Sequence, residues 1–445
     1  MDGSAKAPFP PRLSRDNRLG HSTKIHPRGK AAEAVAILDA PCISVIVNNN
    51  AAPAIGKLIM SYAKNRVIHD ADSHVMEPAD WFDGFIDPSI ADRLPGLSRP
   101  PEGRIEMQVA AARARKGDTE AIKAAATDLI AGSKGWIAYG AFDPEERTKA
   151  MDELGFASQL VFATSSVAPF RNSKDMDVLY GGARAHNRAM AAFCKDERLI
   201  GVGFVPLDDP ERALIEAKEA VRAGCGAIWV PSTPGGERSP GHTDLDPFWR
   251  FLADSNIPFV QHIGAGSRVL PKEYTNNGKP RSPDLHGGGE NLRFKDFIVL
   301  PFSAQMFLAA LVYDGLFDRV PNLRGGVIEF GAAWVPGFLR QIDLGYRSFS
   351  RTDPLLTALK LKPSDYMRKH IKFTPFPGED AGYLIKDAGA ELFMFSSDYP
   401  HPEGTNDPIG RFERTFADIS EADRDRFYSR NFEEMMSMAP ALVDA

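Results

Sequence analysis

The chain has 445 residues and a formal net charge of −6, with 43% hydrophobic and 25% charged residues. This composition is typical of a globular protein, and the acidic balance argues against nucleic acid or an anionic membrane as a partner. The three cysteines, Cys42, Cys194 and Cys225, have neither a disulfide nor a metal-binding spacing, so a reducing, cytoplasmic compartment is expected. We find no apolar run of the roughly 18–20 residues that span a bilayer, and no membrane partner is expected.

Residues 1–65 differ in composition from the rest of the chain. A Pro-rich run at residues 7–11 is followed by scattered basic residues and by three asparagines at 48–50. Such a segment cannot bury a core, so we predict a disordered N-terminal extension over residues 1–65. The apolar run at 43–47 is shorter than the ~7–15 residues of a signal-peptide core, and Met60 is an alternative start that leads directly into the first predicted strand.

From residue 66 onward, short apolar runs alternate with helical segments. Eight runs are predicted as strands: 67–70, 158–163, 199–205, 226–230, 258–262, 326–330, 371–374 and 392–395. Strands that alternate with helices form a parallel sheet, and eight such units close into a (β/α)₈ barrel. The predicted fold is therefore α/β, with a TIM-barrel catalytic domain over residues 66–440.

Two insertions interrupt this spacing, one after the first predicted strand and one after the fifth. The first covers residues 85–140 and contains a polar helical stretch near 103–132, and the second covers 264–300 and is rich in Gly, Pro and charge. Both follow the carboxyl ends of strands, where TIM barrels carry their active sites. We therefore expect both insertions to lie over the mouth of the barrel.

Polar residues at the ends of three predicted strands form a candidate metal site. Asp72 and His74 follow the first strand and, being two positions apart in extended backbone, project to the same side. His262 ends the fifth strand, and Asp398 follows the eighth. Two carboxylates and two imidazoles at one edge suit a divalent metal with room for water. The alternatives are a turn or helix cap for the carboxylates and a buried core residue for His262.

Further residues are candidates for catalysis or substrate binding. Asp398 can also act as general base, and His401 as a proton shuttle or substrate contact, with a turn residue as the alternative. Glu329, after the sixth strand, can bind metal, orient substrate or bond within the barrel wall. Trp334 can line the pocket or pack at a helix start. Arg268 can neutralise an anionic substrate or remain a solvated loop residue.

Together these motifs resemble the amidohydrolase superfamily, and within it the amidohydrolase-related branch that includes aminocarboxymuconate-semialdehyde decarboxylase-like proteins. The resemblance covers residues 66–440 and rests on the strings at 70–78, 142–147, 205–210, 261–262, 329–336 and 397–401. It implies a TIM barrel with one divalent metal, Zn²⁺ before Mn²⁺, held by Asp72, His74, His262 and Asp398. Two positions depart from the family pattern: Asp72 stands where many relatives have His or Glu, and Glu329 where the characterised decarboxylases have His.

Three functions are consistent with these residues. The first prediction is a metal-dependent hydrolase of a small organic acid, ester, lactone or amide, in which activated water attacks the substrate and Asp398 serves as base. The alternative is a decarboxylase of an aromatic or muconate-type acid, in which Asp398 or His401 supplies the proton that replaces CO₂. The third is a barrel that binds a small ligand without catalysis, because a fold alone does not decide function. The expected partner is a small-molecule substrate, and the resemblance adds a homodimer as an option.

Overall fold

Seven parallel strands form a curled sheet in which each strand pairs with the next one along the chain. Their bounds are β1 His69–Val75, β2 Ser158–Ala163, β3 Leu199–Phe204, β4 Ala227–Trp229, β5 Phe259–His262, β6 Gly325–Ile328 and β7 Ile371–Phe373. Parallel neighbours in chain order are what repeated strand–helix units produce, because each connection crosses back over the same face of the sheet. The predicted α/β class is confirmed.

An extended segment takes the place of the predicted eighth strand. It pairs with β7 through a bridge between Phe373 and Phe393, and with β1 through a bridge between Ser73 and Tyr399. The backbone N–H of Asp398 donates to the carbonyl oxygen of Asp72 at 2.9 Å, which holds the two chain segments together. The segment therefore joins the last strand to the first, as a TIM barrel requires.

The computed structural model describes residues 61–64, 66–97, 103–266, 270–280 and 294–438. The described residues belong to one compact unit, Ile59–Ala445. Apart from residues 61–64, the predicted N-terminal extension lies outside the described part of the chain. So do Arg268 and the triple-glycine stretch of the second insertion.

Helices connect the strands and cover the outside of the barrel. The helices are α1 Arg104–Ala114, α2 Thr119–Ala126, α3 Pro144–Leu154, α4 Met176–Phe193, α5 Pro210–Ala223, α6 Asp246–Asp254, α7 Phe294–Val299, α8 Phe302–Tyr313, α9 Leu316–Arg319, α10 Val335–Phe349, α11 Pro354–Thr357, α12 Pro363–His370, α13 Ala381–Ala388, α14 Pro408–Glu413, α15 Glu421–Asp425 and α16 Asn431–Met436. Local signals set their starts: the Asp209 carboxylate accepts hydrogen bonds from the N–H groups of Glu211 and Arg212, and Pro210 occupies the first turn of α5.

The first insertion closes over the carboxyl end of the barrel, as expected. Its last part is bonded to the segments that carry the candidate site: the N–H of Gly135 donates to the carbonyl of Pro400 at 2.8 Å, and the indole of Trp136 donates to the carbonyl of Glu77 at 3.0 Å. The hydroxyl of Tyr399 donates back to the carbonyl of Tyr139 at 2.6 Å. The predicted helical stretch near 103–132 forms two helices, α1 and α2.

One stretch of the described chain has the length and composition of a membrane span, contrary to the expectation from the sequence. It runs from Phe294 to Tyr313 and includes α7 and α8, and only part of it is buried. Pro301 lies between the two helices, and several side chains of α8, such as Phe307 and Leu311, are buried. Buried helices of globular proteins can have the same composition.

Candidate metal centre and active site

Four buried side chains meet at the carboxyl end of the barrel. Asp72 and His74 come from β1, His262 is the last residue of β5, and Glu329 directly follows β6. One ligand atom from each lies within 4.8 Å of the others. Oδ1 of Asp72 is 3.3 Å from Nε2 of His74 and 3.3 Å from Nε2 of His262, and the latter nitrogen is 3.0 Å from Oε2 of Glu329.

Asp398 and His401 form a second group that shares His74 with the first. Oδ1 of Asp398 lies 3.4 Å from Nε2 of His74 and 3.1 Å from Nδ1 of His401. The rings of His74 and His401 are stacked, with centroids 3.7 Å apart and planes 19° apart. The two groups together therefore form one continuous polar cluster.

The four residues predicted as metal ligands thus lie in one place, but the four-residue group in the structure has a different membership. Glu329, predicted to bind substrate, joins Asp72, His74 and His262, whereas Asp398 lies beside His74 and His401. The ligand role of each residue stays a prediction. Geometrically, Glu329 is as well placed to hold a cation as Asp398 is.

Both strand-end carboxylates stand on unusual backbone. Glu329 has φ 61° and Asp398 has φ 57°, in the left-handed region that side chains other than glycine rarely adopt. Each conformation is fixed by a bond from its own N–H, to Oγ1 of Thr374 at 3.0 Å for Glu329 and to the carbonyl of Asp72 for Asp398. Such conformations cost about 1–3 kcal/mol and are concentrated at functional sites.

The ring of His262 is oriented by its surroundings. Its Nδ1 is 2.9 Å from the carbonyl oxygen of Ile263, which can only accept, so Nδ1 carries the proton and bare Nε2 faces the cluster. Phe162 stacks against the ring at 4.3 Å, and Trp229 contacts it edge-on at 5.4 Å. A second nitrogen bonded in this way is typical of a histidine that ligates metal.

A buried polar network lies beside the site. The carboxylate of Asp70 accepts bonds from the N–H and the hydroxyl of Ser397, at 2.8 and 2.6 Å, and from Nε2 of Gln159 at 2.7 Å. The amide oxygen of Gln159 accepts from Nε of Arg147, whose guanidinium also donates to the carbonyl of His74. Asp70 therefore ties β1 to β2 and to the closing segment instead of entering the cluster.

The residues present fit a divalent cation. Nε2 of His74 and Oδ1 of Asp398 are buried and lie 3.4 Å apart without a well-formed hydrogen bond between them. Burial alone would raise the pKa of Asp72, but His262 and His74 lower it well below the usual value. Burial, helped by the charge of His401, lowers the pKa of His74 to about 4. A carboxylate that stays ionised and an imidazole that stays neutral are the protonation states that metal binding needs.

Two predicted substrate-binding residues have different outcomes. The indole N–H of Trp334 donates to the carbonyls of Phe330 and Gly331, and its ring packs on Phe338 and Phe373 at the start of α10. This arrangement matches the packing alternative, and a contact with substrate stays a prediction. Arg268 lies outside the described residues.

Lys134 belongs to none of the motifs found in the sequence. Its Nζ is buried, has no hydrogen-bond partner among the residues described, and lies 5.1 Å from the ring centroid of Tyr399. Burial lowers the pKa of Lys134 to about 8, although the negative charge of Asp398 acts in the opposite direction. The position of Lys134 in the part of the first insertion predicted to cover the mouth was its only sequence signal.

The fold and the site together define a TIM barrel with a candidate divalent-metal centre at its carboxyl end. The chain belongs to the amidohydrolase family, whose sequence pattern matches residues 70–435. The superfamily predicted from the motifs is confirmed.

Similar proteins are decarboxylases and amidohydrolases. A 2-amino-3-carboxymuconate-6-semialdehyde decarboxylase of Dictyostelium discoideum is 22% identical over 248 residues, which are 55% of this chain and 62% of that relative, less than two thirds of its length. The structure of an amidohydrolase from Mycobacterium avium subsp. paratuberculosis superposes with a TM-score of 0.64 at 19% identity, covering 84% of this chain and 99% of that one.

A manganese-containing decarboxylase shares the same fold. The 5-carboxyvanillate decarboxylase of Novosphingobium aromaticivorans, complexed with manganese and 4-hydroxy-3-methoxy-5-nitrobenzoic acid, superposes with a TM-score of 0.55 at 19% identity. The superposition covers 84% of this chain and 96% of that one. At such identities the solved structures show the TIM-barrel fold alone, and the activities of these relatives enter below as support for a proposal.

Proposed function

We propose that this chain is a metal-dependent decarboxylase that releases CO₂ from an aromatic carboxylic acid without an oxidant. The observation that carries the proposal is the buried cluster of Asp72, His74, His262 and Glu329 beside the pair of Asp398 and His401. Similar proteins with decarboxylase names support this reaction over the hydrolysis predicted first. Membership of the superfamily is compatible with both reactions and does not choose between them.

Asp72, His74, His262 and Glu329 would hold the cation, with Asp398 close enough to join them through its position beside His74. A divalent ion there supplies a Lewis acid that polarises the oxygen atoms of a bound acid. Mixed imidazole and carboxylate donors suit both zinc and manganese. The manganese in the related 5-carboxyvanillate decarboxylase makes Mn²⁺ as strong a candidate as the Zn²⁺ predicted from sequence.

Asp398 and His401 are placed to handle the proton. Decarboxylation breaks the bond between the ring carbon and the carboxyl carbon, and the electron pair stays on the ring carbon, which then takes up a proton. Oδ1 of Asp398 and Nδ1 of His401, 3.1 Å apart, can hold one proton between them. Asp398 is 8% exposed and is therefore the member of the pair that substrate can reach.

Lys134 is placed to bind the anionic part of the substrate. Its buried ammonium group lies beside Tyr399, next in sequence to Asp398. An unpaired buried cation is unfavourable until an anion joins it, so a substrate carboxylate or phenolate would gain a charge-assisted bond there. Arg268, the cation predicted from sequence, is a second candidate for this role.

Hydrolysis is the second candidate function, and Glu329 favours it. Glu329 adds a carboxylate to Asp72 and Asp398 at a position where the characterised decarboxylases of the resemblance have histidine. A further negative charge in this cluster disfavours an anionic substrate relative to a neutral ester or lactone.

A substrate panel with metal analysis tests the proposal. The protein is loaded with Mn²⁺ or Zn²⁺ and incubated with 2,6-dihydroxybenzoate, 5-carboxyvanillate, aryl esters and aryl lactones. We expect CO₂ release from at least one acid, and about one metal ion per chain. Ester or lactone opening without CO₂ release would select hydrolysis instead. A chain that retains neither metal nor activity would favour the barrel that only binds a ligand.

A further inference from the structure

Thr164, the first residue after β2, lies directly behind His401. Its Oγ1 is 2.9 Å from Nε2 of His401 and 2.8 Å from the carbonyl oxygen of Val75. A hydroxyl has one hydrogen to donate, and a carbonyl oxygen can only accept. Both contacts are favourable in one arrangement: the hydroxyl donates to Val75 and accepts a hydrogen bond from a protonated Nε2.

This arrangement decides which nitrogen of His401 faces the candidate catalytic carboxylate. With Nε2 directed at Thr164, Nδ1 is turned toward Oδ1 of Asp398 at 3.1 Å. One face of the His401 ring is fixed by stacking on the ring of His74. A ring flipped about its axis would place carbon atoms opposite both oxygens and lose both polar contacts.

Glu77 fixes the backbone that presents Thr164. Its fully buried carboxylate accepts hydrogen bonds from the N–H groups of Thr164, Ser165 and Ser166, at 3.1, 3.0 and 3.1 Å. It also accepts a bond at 3.0 Å from the hydroxyl of Ser165. Glu77 follows the end of β1 by two residues, so these four bonds hold residues 164–166 against the strand that carries Asp72 and His74.

We infer that Thr164 and Glu77 are positioning residues: Thr164 holds His401 with Nε2 protonated and Nδ1 toward Asp398, and Glu77 holds Thr164 in place. Neither residue belongs to the two candidate metal groups. The inference rests on the proposed function in one respect, since the consequence for turnover requires that Asp398 and His401 handle the proton. The orientation of the His401 ring is independent of it.

Three variants test the effect on turnover, measured as CO₂ release from the best acid of the panel. Thr164→Val keeps the shape but removes the hydroxyl, and kcat should fall roughly tenfold to a hundredfold, with KM and bound metal nearly unchanged. Thr164→Ser restores the hydroxyl and should recover most of kcat. Glu77→Gln replaces one carboxylate oxygen, which accepts hydrogen bonds, by an NH₂ group that faces other donors. It should lower kcat in the same way.

The combined variant and a matched control separate positioning from general damage. If Glu77 acts through Thr164, the double variant Glu77→Gln/Thr164→Val should be no slower than the slower single variant. Thr415→Val is the control, because Thr415 also donates to a carbonyl, that of Phe412, and accepts from the N–H of Gly382, but it lies at the outer helices α13 and α14. Its kcat should equal that of the wild type. Unchanged kcat in Thr164→Val, or an equal loss in Thr164→Ser, would overturn the inference.

A direct measurement on the zinc-loaded wild type needs no substrate. The ¹⁵N shifts of the imidazole nitrogens report which of them is protonated, and His401→Gln identifies the signals of His401. A proton on Nε2 supports the inference, and a bare Nε2 overturns it. If the panel releases no CO₂, the proposed function fails while this result still decides the orientation of the ring.

Discussion

At the scale of single residues, Asp398 is the position on which the proposed chemistry most depends. Its backbone is held in the left-handed region, and its carboxylate stands between two imidazoles, those of His74 and His401. The four-residue group of Asp72, His74, His262 and Glu329 does not include it. Proton transfer and cation binding can therefore be separated experimentally at this residue.

Replacing Asp398 with Asn keeps the volume but removes the charge and one acceptor. We expect kcat to fall by about 10²–10⁴-fold, the usual size of a general acid–base contribution, while the metal content stays near that of the wild type. CO₂ release and elemental analysis of the same preparation measure both. Asp418→Asn, at an exposed carboxylate bonded to Lys386, is the control. Full activity of Asp398→Asn would show that another group handles the proton.

Lys134 gives a prediction about substrate charge. Lys134→Met removes the ammonium group and keeps the stem, so KM for an arene carboxylate should rise about tenfold to a hundredfold, as expected for a lost charge-assisted hydrogen bond. Binding of the corresponding methyl ester should be unchanged. Lys116→Met, at an exposed lysine of the same insertion that pairs with Asp143, should leave both values unchanged. A parallel loss for acid and ester would exclude recognition of charge by Lys134.

The residues of the site were predictable to the extent that their placement is local. Asp72, His74, His262 and Asp398 sit at strand ends, and the carboxyl ends of parallel strands converge in any closed barrel. Lys134 could not be found in this way, because its position depends on how a long insertion docks on the mouth. That docking rests on tertiary contacts such as the bond from Gly135 to Pro400.

At the scale of elements, the apolar runs of the sequence predicted the position of every strand. The predicted strand ends differ from the observed ones where a strand contains polar residues. The prediction for β2 matches the structure at both ends, whereas the first strand was predicted to end at residue 70 and β1 runs to Val75. The buried polar residues of the site therefore continue the strand, because side-chain partners compensate their burial. The last strand was predicted to stop at residue 395, but its pairing with β1 extends to Tyr399.

The contact between α4 and α5 contains a buried carboxylate, that of Glu216, away from the site. It accepts a hydrogen bond from Nδ2 of Asn187 at 3.0 Å and lies 3.2 Å from Nε of Arg184. Burial raises the pKa of Glu216 to about 7, although Arg184 acts in the opposite direction. The folded chain keeps this proton up to about pH 7, whereas the unfolded chain releases it near the ordinary value of 4.5.

The sign of the stability effect follows from this difference. The contribution of Glu216 is fully present below its ordinary pKa and is lost as the pH rises through about 7. Between about pH 5 and about pH 8, the wild type should lose on the order of 1 kcal/mol of unfolding free energy that Glu216→Gln does not lose. Urea unfolding at both pH values measures it. Glu211→Gln, at an exposed position in the first turn of α5, should behave like the wild type, and an identical pH response of Glu216→Gln and wild type would refute the assignment.

At the scale of the whole molecule, a cation bound at the end of the closed barrel would stabilise the fold as well as take part in the chemistry. Its candidate ligands come from β1, from the end of β5 and from the residue after β6, so one ion would join distant parts of the chain. Without an ion, three carboxylates, those of Asp72, Glu329 and Asp398, remain in one buried cluster. Their mutual repulsion in a medium of low dielectric opposes folding.

Metal removal should therefore lower thermal stability as well as activity. An ion present at about a hundredfold its Kd stabilises the folded state by about 2.7 kcal/mol, which for a domain of this size corresponds to a fall in Tm of about 3 °C when the ion is removed. Scanning calorimetry before and after dialysis against a chelator measures the fall, and added Mn²⁺ or Zn²⁺ should reverse it. Far-UV circular dichroism should stay unchanged, because the sheet and helices do not depend on the ion.

The variant His262→Ala separates the effect of the ion from that of the chelator. It removes the candidate ligand that lies between Asp72 and Glu329, so it should bind little metal, and its Tm should not respond to the chelator. Asp398→Asn should still show the full response, because the four-residue group of candidate ligands is intact in that variant. If the chelator lowers the Tm of His262→Ala as much as that of the wild type, the stabilising ion binds at a different site, one that does not need His262.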